Sequence, residues 1–349
     1  MDALLSLLRL SSRVTFTSSS HTADASIERR RLADFVTLMK PRVMLLAVFT
    51  AFVGFIIAPG EREPLLGLVS IVAIAAGAGA AGVLNMCYEA DIDAIMARTA
   101  KRPIPRGDVS RLEALILGLI LAGSSVAVLA LAANIVAAAL LGCAIFFYIG
   151  VYTVWLKRRT RQNIVIGGAA GALAPVIGWA AATGQIESEP LILFLLVFLW
   201  TPPHFWALAI NRADDYARAG LPMLPVVAGK VATVRQILIY SALLAPISLL
   251  PWALGFAGAI YGATAVMCGG ILIVLALQLW KSRGVDRRIA QRLFIFSISY
   301  LFMLFAALLI DHGSSPWSSV LSSRSTPLGV GAVNAEPAAL PIRVASNRR

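Results

Sequence analysis

The sequence predicts an all-α membrane protein in which nine helices cross the bilayer as a single bundle. The first observation is composition, because 59% of the 349 residues are hydrophobic, 14% are charged and the mean hydropathy is +0.81. Soluble domains are about 45–50% apolar and about 25% charged. The second observation is that the apolar blocks are roughly 17–25 residues long, which is the length of helix that spans a ~30 Å hydrocarbon core. The blocks also lack the alternation of membrane β-strands, and lipid offers an irregular backbone no hydrogen-bond partners.

The nine spans are predicted to form one domain over residues 33–311. Residues 1–32 are predicted to be a disordered cytoplasmic arm, with an organelle transit peptide as the alternative. Residues 312–349 are rich in Ser, Pro, Gly and Ala and are predicted to be a disordered tail. In chain order, the predicted spans are 43–59, 66–88, 112–132, 134–154, 163–182, 190–211, 232–256, 258–281 and 291–311.

Most lysines and arginines lie in alternate loops, and therefore on one side of the predicted bundle. The net charge is +12, and 25 of the 30 basic residues lie before span one or at the loops that follow spans two, four, six and eight. The positive-inside bias therefore predicts a cytoplasmic N-terminus and explains the charge without nucleic-acid binding. A bacterial inner membrane is the predicted location, and a mitochondrial inner membrane is the alternative. The five remaining basic residues are Arg62, Arg324, Arg343, Arg348 and Arg349.

Acidic side chains follow the second span in a pattern that matches a helix. Asn85, Glu89 and Asp93 are spaced at i, i+4 and i+8, so they share one helical face, while Asp91 points roughly the other way. An amide and two carboxylates suit Mg²⁺, a hard cation that usually takes one or two carboxylates beside substrate phosphates. The alternative is that these acids pair with nearby arginines in a solvated loop.

Basic side chains next to these acids favour a diphosphate site. Arg98 and Arg102 follow the acids directly, and the loop after span six repeats the mixture with Arg212 and Asp215. A metal held by carboxylates bridges some diphosphate oxygens, and guanidinium groups bind the others in a forked geometry. A transporter is the alternative from another class, but it needs polar groups near the midplane, whereas these groups cluster at one membrane face.

The ordered motifs between the spans resemble the UbiA-type intramembrane prenyltransferases over residues 33–311. The first motif is Asn85-x3-Glu89-x-Asp91-x-Asp93, followed by Arg98-Thr99-x-x-Arg102-Pro103. Two positions depart from the family pattern, because Glu89 stands where Asp is usual and Ala219 stands four residues after Asp215. The supporting stretches are KPRV at 40–43, WLKRRT at 155–160, NIVIGG at 163–168, WTPPHFW at 200–206 and DYARAGLPMLPVV at 215–227.

The resemblance implies a nine-helix enzyme that transfers an isoprenoid chain from a diphosphate. The stretches at 200–206 and 215–227 look like the haem branch of the family, in which the farnesyl group of farnesyl diphosphate joins a vinyl group of haem B. Water adds in the same reaction, and the product is haem O for haem A biosynthesis and terminal oxidases. The alternative acceptor is an aromatic quinone precursor such as 4-hydroxybenzoate. Membrane lipid, haem A synthase and oxidase assembly proteins are the further partners implied.

The resemblance also implies roles for individual residues. A lone histidine in a membrane span, such as His204, is usually a core residue, but imidazole is also a common axial ligand of haem. His204 is therefore predicted to contact haem, as a ligand of the iron or as a partner of a propionate. Mg²⁺ is the implied cofactor. The implied catalytic residues are Asn85, Glu89, Asp91, Asp93 and Asp215. The implied metal ligands are Asn85, Glu89, Asp93 and Asp215, and the implied diphosphate-binding residues are Arg98, Arg102, Lys157 and Arg212.

Overall fold

A computed structural model of the chain describes residues 30–60 and 63–314, and all regular structure in these residues is helical. Most of the predicted arm, 1–32, and most of the predicted tail, 312–349, lie outside the described residues. Residues 30–32 begin the first helix, and residues 312–314 end the last one, because helical hydrogen bonding continues past the apolar blocks at both ends.

The described residues form fifteen helices, nine of them long. The fourth long helix, α7, continues from Phe147 to Leu156 as a π-helix, which we call the π segment. In chain order the helices are α1 Arg30–Leu38, α2 Pro41–Ile57, α3 Pro64–Tyr88, α4 Ala90–Ile95, α5 Pro103–Arg106, α6 Arg111–Ala132, α7 Ile135–Phe146, α8 Asn163–Thr183, α9 Ser188–Asn211, α10 Ala213–Arg218, α11 Leu224–Val227, α12 Gly229–Ile247, α13 Leu250–Ala253, α14 Ala259–Lys281 and α15 Arg287–Ser314.

The nine predicted spans are confirmed. Within the described residues, eight spans are long and apolar enough to cross a membrane, and α1 with α2 makes a ninth that is bent by 52°. The protein is therefore a polytopic membrane protein. The predicted starts of spans seven and nine, 232 and 291, fall a few residues inside the observed helices, because polar and basic residues extend these helices beyond the apolar blocks.

Local sequence signals explain several helix ends. Helix α6 begins with a capping box, in which the Ser110 hydroxyl accepts from the Glu113 amide at 3.2 Å and the Glu113 carboxylate accepts from the Ser110 amide at 2.9 Å. Helix α8 ends at Thr183, and the next residue, Gly184, has a left-handed φ of 74° that favours glycine. Caps of this kind fix where the loops begin and so where their polar side chains can lie.

Glycine allows α2 and α8 to pack with their backbones almost in contact. A Cβ atom on Gly178 would lie 1.9 Å from the Ala51 carbonyl oxygen, and one on Gly54 would lie 2.3 Å from the Pro175 carbonyl oxygen. Helices in membranes associate largely through such close van der Waals contact between small residues. This contact fixes the first span against the fifth.

Ion pairs show that alternate loops meet at one end of the bundle, which we call the polar end. Asp91 in the loop after span two lies 2.9 Å from Arg158 in the loop after span four. Asp214 in the loop after span six lies 3.8 Å from Arg287, which begins the last span. The loops that carry most of the basic residues therefore share one end, as their alternation predicts.

An apolar cluster holds the loop after span six against the bundle. Tyr216, Leu221 and Met223 from this loop are buried with Trp206 of α9 and Ile237 of α12. Burial of each large apolar side chain contributes about 1.5–3 kcal/mol. The short helices α10 and α11 are thus packed parts of the fold, and this packing holds the backbone that carries Asp215 against the bundle.

Candidate active site

Asn85, Glu89 and Asp93 lie on one continuous helical face at the polar end. The Glu89 amide donates to the Asn85 carbonyl at 3.0 Å, and the Asp93 amide donates to the Glu89 carbonyl at 2.8 Å, so helical bonding crosses the boundary between α3 and α4. Only 2% of Asn85, 3% of Glu89 and 3% of Asp93 is exposed. The predicted shared face is present, and its three polar side chains are buried.

Each of these three side chains contacts one basic side chain from a different part of the chain. Lys40 donates to Asn85 Oδ1 at 2.5 Å, Lys157 Nζ lies 2.5 Å from Glu89 Oε1, and an Arg102 nitrogen lies 2.6 Å from Asp93 Oδ2. We call these six residues the central cluster. Buried charges are tolerated in proteins when they are paired in this way.

Glu89 Oε1 has one basic partner. Lys157 Nζ lies 2.5 Å from this atom, and no other described residue donates a hydrogen bond to it. One amide and two carboxylate oxygens are hard donors, which suit a divalent cation. The central cluster therefore fits a divalent cation that completes its coordination with substrate oxygens.

Asp91 points away from the central cluster, as the helical spacing predicts. Its half-exposed carboxylate accepts two hydrogen bonds from Arg158, at 2.9 and 3.0 Å. Partial burial raises the pKa of Asp91, the hydrogen bonds from Arg158 lower it, and the net result is a pKa below the ordinary value. The structure does not bring Asp91 to the proposed metal ligands, so its catalytic role stays a prediction.

A second acidic site surrounds Asp215 in α10. Its buried carboxylate forms ion pairs with Arg218 and with Arg212, the latter at 3.8 Å. Position 219 is alanine, so a second carboxylate one turn later is absent. Among the described residues, no three Asp, Glu, His or Cys side chains are close enough to share a metal. In this structure Asp215 therefore pairs with Arg212 and Arg218 and does not form a three-acid group with Glu89 and Asp93.

The predicted diphosphate-binding residues divide between three environments. Arg102 and Lys157 belong to the central cluster, and Arg212 contacts Asp215. Arg98 is exposed at the polar end. The basic groups closest to the proposed metal ligands are therefore Arg102, Lys157 and Lys40.

His204 is held between aromatic rings in α9. Its ring stacks on Trp200 and Phe294, with centroids 4.3 and 4.7 Å away, and its Nδ1 lies 2.7 Å from the Ser297 hydroxyl. That hydroxyl donates its proton to the Phe294 carbonyl oxygen at 2.7 Å. Because a hydroxyl has one proton, we infer that His204 Nδ1 carries the hydrogen and donates, which leaves a lone pair on Nε2.

Three residues of these sites were not identified from the sequence. These residues are Lys40 in the KPRV stretch, Thr153 in the π segment and Ser297 in α15. Their partners are 45, 68 and 93 residues away, respectively, so local spacing contains no signal for them. The one available hint was a lysine directly before the proline that begins the first span.

Comparisons with known proteins place most of the chain in one family. The sequence pattern of the UbiA prenyltransferase family matches residues 47–321. A protoheme IX farnesyltransferase of Rhodopseudomonas palustris (strain BisB5) is 54% identical over 297 residues, which cover 84% of this chain and 95% of that protein. Protoheme IX farnesyltransferase 2 of Nitrobacter winogradskyi is 56% identical over 287 residues, which cover 82% of this chain and 92% of that protein.

Solved structures share the fold at lower identity. A structure of digeranylgeranylglyceryl phosphate synthase superposes with a TM-score of 0.68 at 19% identity and covers 82% of this chain and 100% of that chain. A UbiA homolog from Archaeoglobus fulgidus bound to GPP and Mg²⁺ gives a TM-score of 0.59 at 19% identity and covers 79% and 99% of the two chains. Identities this low show the fold alone.

Proposed function

Since the chain belongs to the UbiA prenyltransferase family, we propose that it transfers the farnesyl group of farnesyl diphosphate to a vinyl group of haem B. Water adds in the reaction, and the products are haem O and diphosphate. The relatives named protoheme IX farnesyltransferase are more than half identical over nine-tenths or more of their length and support this acceptor. The observation that carries the diphosphate chemistry is the central cluster, in which three buried oxygen-bearing side chains face three basic ones.

Asn85, Glu89 and Asp93 are proposed to hold Mg²⁺ together with diphosphate oxygens. The burial of these three side chains and their hard oxygen donors support this assignment. The A. fulgidus homolog was solved with GPP and Mg²⁺, which is consistent with it. The chemistry that the metal supplies is neutralisation of the charge that grows on the leaving diphosphate. Asp215, which pairs with Arg212 and Arg218 here, is proposed as a further metal ligand. The role of Asp91 is proposed to be positioning of Arg158.

Lys157 and Arg102 are proposed to change partners when substrate binds. Each is paired with a carboxylate here, and a metal on those carboxylates would leave both basic groups free to bind phosphate oxygens. Their positions are fixed in advance, and preorganised charges of this kind stabilise a transition state effectively. Arg98 and Arg212 are proposed to contribute further diphosphate contacts from the edge of the site.

The haem acceptor is proposed to contact His204. The Ser297 hydroxyl fixes the tautomer in which Nε2 has a lone pair, which is the form of imidazole that binds haem iron. Stacking on Trp200 and Phe294 also fixes the orientation of the ring.

The polar end is proposed to face the cytoplasm of a bacterium, with the chain in the inner membrane. The loops at this end carry most of the lysines and arginines, which are retained on the cytoplasmic side. Farnesyl diphosphate would therefore enter from the cytoplasmic side with its chain between apolar helices. Haem A synthase and oxidase assembly proteins are proposed as the partners that receive the product.

The proposed reaction is tested with purified protein in detergent, farnesyl diphosphate, haem B and Mg²⁺. Mass spectrometry should detect haem O, formed only when all three are present. A parallel reaction replaces haem B with 4-hydroxybenzoate. Formation of the prenylated ring without haem O would replace the haem acceptor by a quinone precursor, and no product with either acceptor would refute the proposed activity.

A further inference from the structure

The amide of Asn85 can serve a metal in one orientation only. The Oδ1 and Nδ2 ends of an asparagine side chain have nearly the same shape, but Oδ1 accepts and Nδ2 donates. A metal site that includes Asn85 therefore needs something that fixes which end faces the cation. A side chain that lies on the other side of the amide could supply that control.

Thr153 lies beside the Nδ2 end of the Asn85 amide and is fully buried. It belongs to the π segment, where its hydroxyl donates to the Tyr148 carbonyl oxygen, five residues earlier, at 2.8 Å. A hydroxyl has one proton, so the remaining lone pairs of Thr153 Oγ1 can only accept. Asn85 Nδ2 donates to this oxygen at 3.0 Å. An Oδ1 atom in that position would place two acceptors against each other.

The other end of the amide already faces a cation in this structure. Asn85 Oδ1 accepts from the Lys40 ammonium at 2.5 Å. The two contacts of Asn85 are therefore consistent with each other, because the donor end faces an acceptor and the acceptor end faces a positive charge. Asn85 is almost fully buried, so water does not offer an alternative partner that would allow the amide to rotate.

We propose that Thr153 is a positioning residue that fixes the Asn85 amide with Oδ1 towards the metal. The proposal rests on the proposed function, because it assumes that Asn85 is a metal ligand. The role requires both the hydroxyl and its place in the π segment. The hydroxyl donates its only proton to the carbonyl oxygen five residues earlier, so towards Asn85 it can only accept. Groups that orient a metal ligand typically change metal affinity by about 10–100-fold when they are removed.

The test measures metal binding directly in the whole protein. Free Mn²⁺ is followed by electron paramagnetic resonance as it is titrated into protein saturated with farnesyl thiodiphosphate, without any acceptor. Thr153→Val keeps the side-chain shape but removes the hydroxyl, and it should weaken Mn²⁺ binding about 10-fold or more. Thr153→Ser keeps the hydroxyl and should stay within about 3-fold of the native protein. Thermal unfolding checks that each variant is folded, and Thr153→Ala replaces Thr153→Val if the latter is not.

A second set of variants, made in protein that carries Asn85→Asp, tests whether the loss of affinity comes from the orientation of the Asn85 amide or from general damage to the fold. A carboxylate has two equivalent oxygens, so Asn85→Asp needs no orienting partner, and adding Thr153→Val to it should change Mn²⁺ affinity by less than about 2-fold. Unchanged affinity of Thr153→Val alone, or an equal loss in the Asn85→Asp background, would overturn the positioning role. Failure of the native protein to bind Mn²⁺ with the thiodiphosphate would instead overturn the proposed metal site itself.

Discussion

Lys157 Nζ lies 2.5 Å from Glu89 Oε1, so a carboxylate from the end of span two is neutralised by an ammonium from the end of span four. Both side chains are largely buried. A buried ion pair adds little net stability, but removing one partner leaves an uncompensated buried charge, which costs about 3–5 kcal/mol. The ion pair between Lys157 and Glu89 therefore predicts that removing one charge destabilises the protein more than removing both charges or preserving both.

Lys157→Met should destabilise the protein by about 3–5 kcal/mol, because Glu89 would stay buried without its ion-pair partner. Thermal unfolding in detergent measures the change. The double variant Lys157→Met with Glu89→Gln should recover most of the loss, since it removes both charges. Equal unfolding temperatures for the native protein and Lys157→Met would contradict the buried pair. Mg²⁺ should raise the unfolding temperature of Lys157→Met more than that of the native protein.

Glu89→Asp should keep the rate of haem O formation within about 10-fold, because the carboxylate remains and the long Lys157 side chain can follow it. The change also restores the residue that is usual in the family. Glu89→Gln is the matched control, and it should lose much more activity because it removes the charge. If Glu89→Asp proved as inactive as Glu89→Gln, the longer side chain would be required at this position.

Asp93→Asn should lower kcat about 100-fold or more, because a proposed metal ligand loses its charge. Folding should persist, and size-exclusion chromatography in detergent checks it. Asp108→Asn is the control, since this residue is exposed and pairs with Arg106 away from the central cluster. Activity of Asp93→Asn close to the native value would remove Asp93 from the proposed metal site.

His204→Ala should abolish the Soret shift that haem B produces on binding while leaving the affinity for farnesyl thiodiphosphate unchanged. Ser297→Ala should weaken haem binding by a smaller factor, about 10-fold, because the imidazole remains but its tautomer is no longer fixed. Spectral titration with haem B measures both. Native haem affinity in His204→Ala would show that the ring has a packing role alone.

Gly178→Ala should strongly reduce the amount of folded protein, because the added methyl group would lie 1.9 Å from the Ala51 carbonyl oxygen. Overpacking of this kind costs about 1–3 kcal/mol or more. Gly171→Ala in the same helix is the matched control, since its Cβ would meet no other atom within 4 Å. It should be neutral or slightly stabilising. Similar yields of the two variants would contradict the close contact between α2 and α8.

Two features could be predicted from the sequence because both depend on local periodicity. They are the nine spans and the helical face that Asn85, Glu89 and Asp93 share. The length of an apolar block sets a span, and the helical repeat sets which side chains lie together. The same periodicity predicted that Asp91 points away from that face, which the structure shows. The pairing of alternate loops at one end followed from the positions of the basic residues.

The partners of those side chains could not be predicted in the same way. Lys40, Thr153 and Ser297 meet their partners through tertiary packing, across tens of residues that local patterns do not relate. The π segment could not be predicted either, because it lies within one apolar block whose length predicts a span but not the type of helix. The split between the central cluster and Asp215 likewise depends on how α10 packs, which spacing does not fix.

The central cluster also sets an order for the synthesis of the protein. Asn85, Glu89 and Asp93 leave the ribosome before their partner residues Thr153 and Lys157, which follow at the end of the fourth span. Until that span enters the membrane, Glu89 has no ammonium beside it and Asn85 has no hydroxyl. The central cluster can therefore be completed only after the fourth span has been synthesised, so the first three spans alone do not contain the whole proposed metal site.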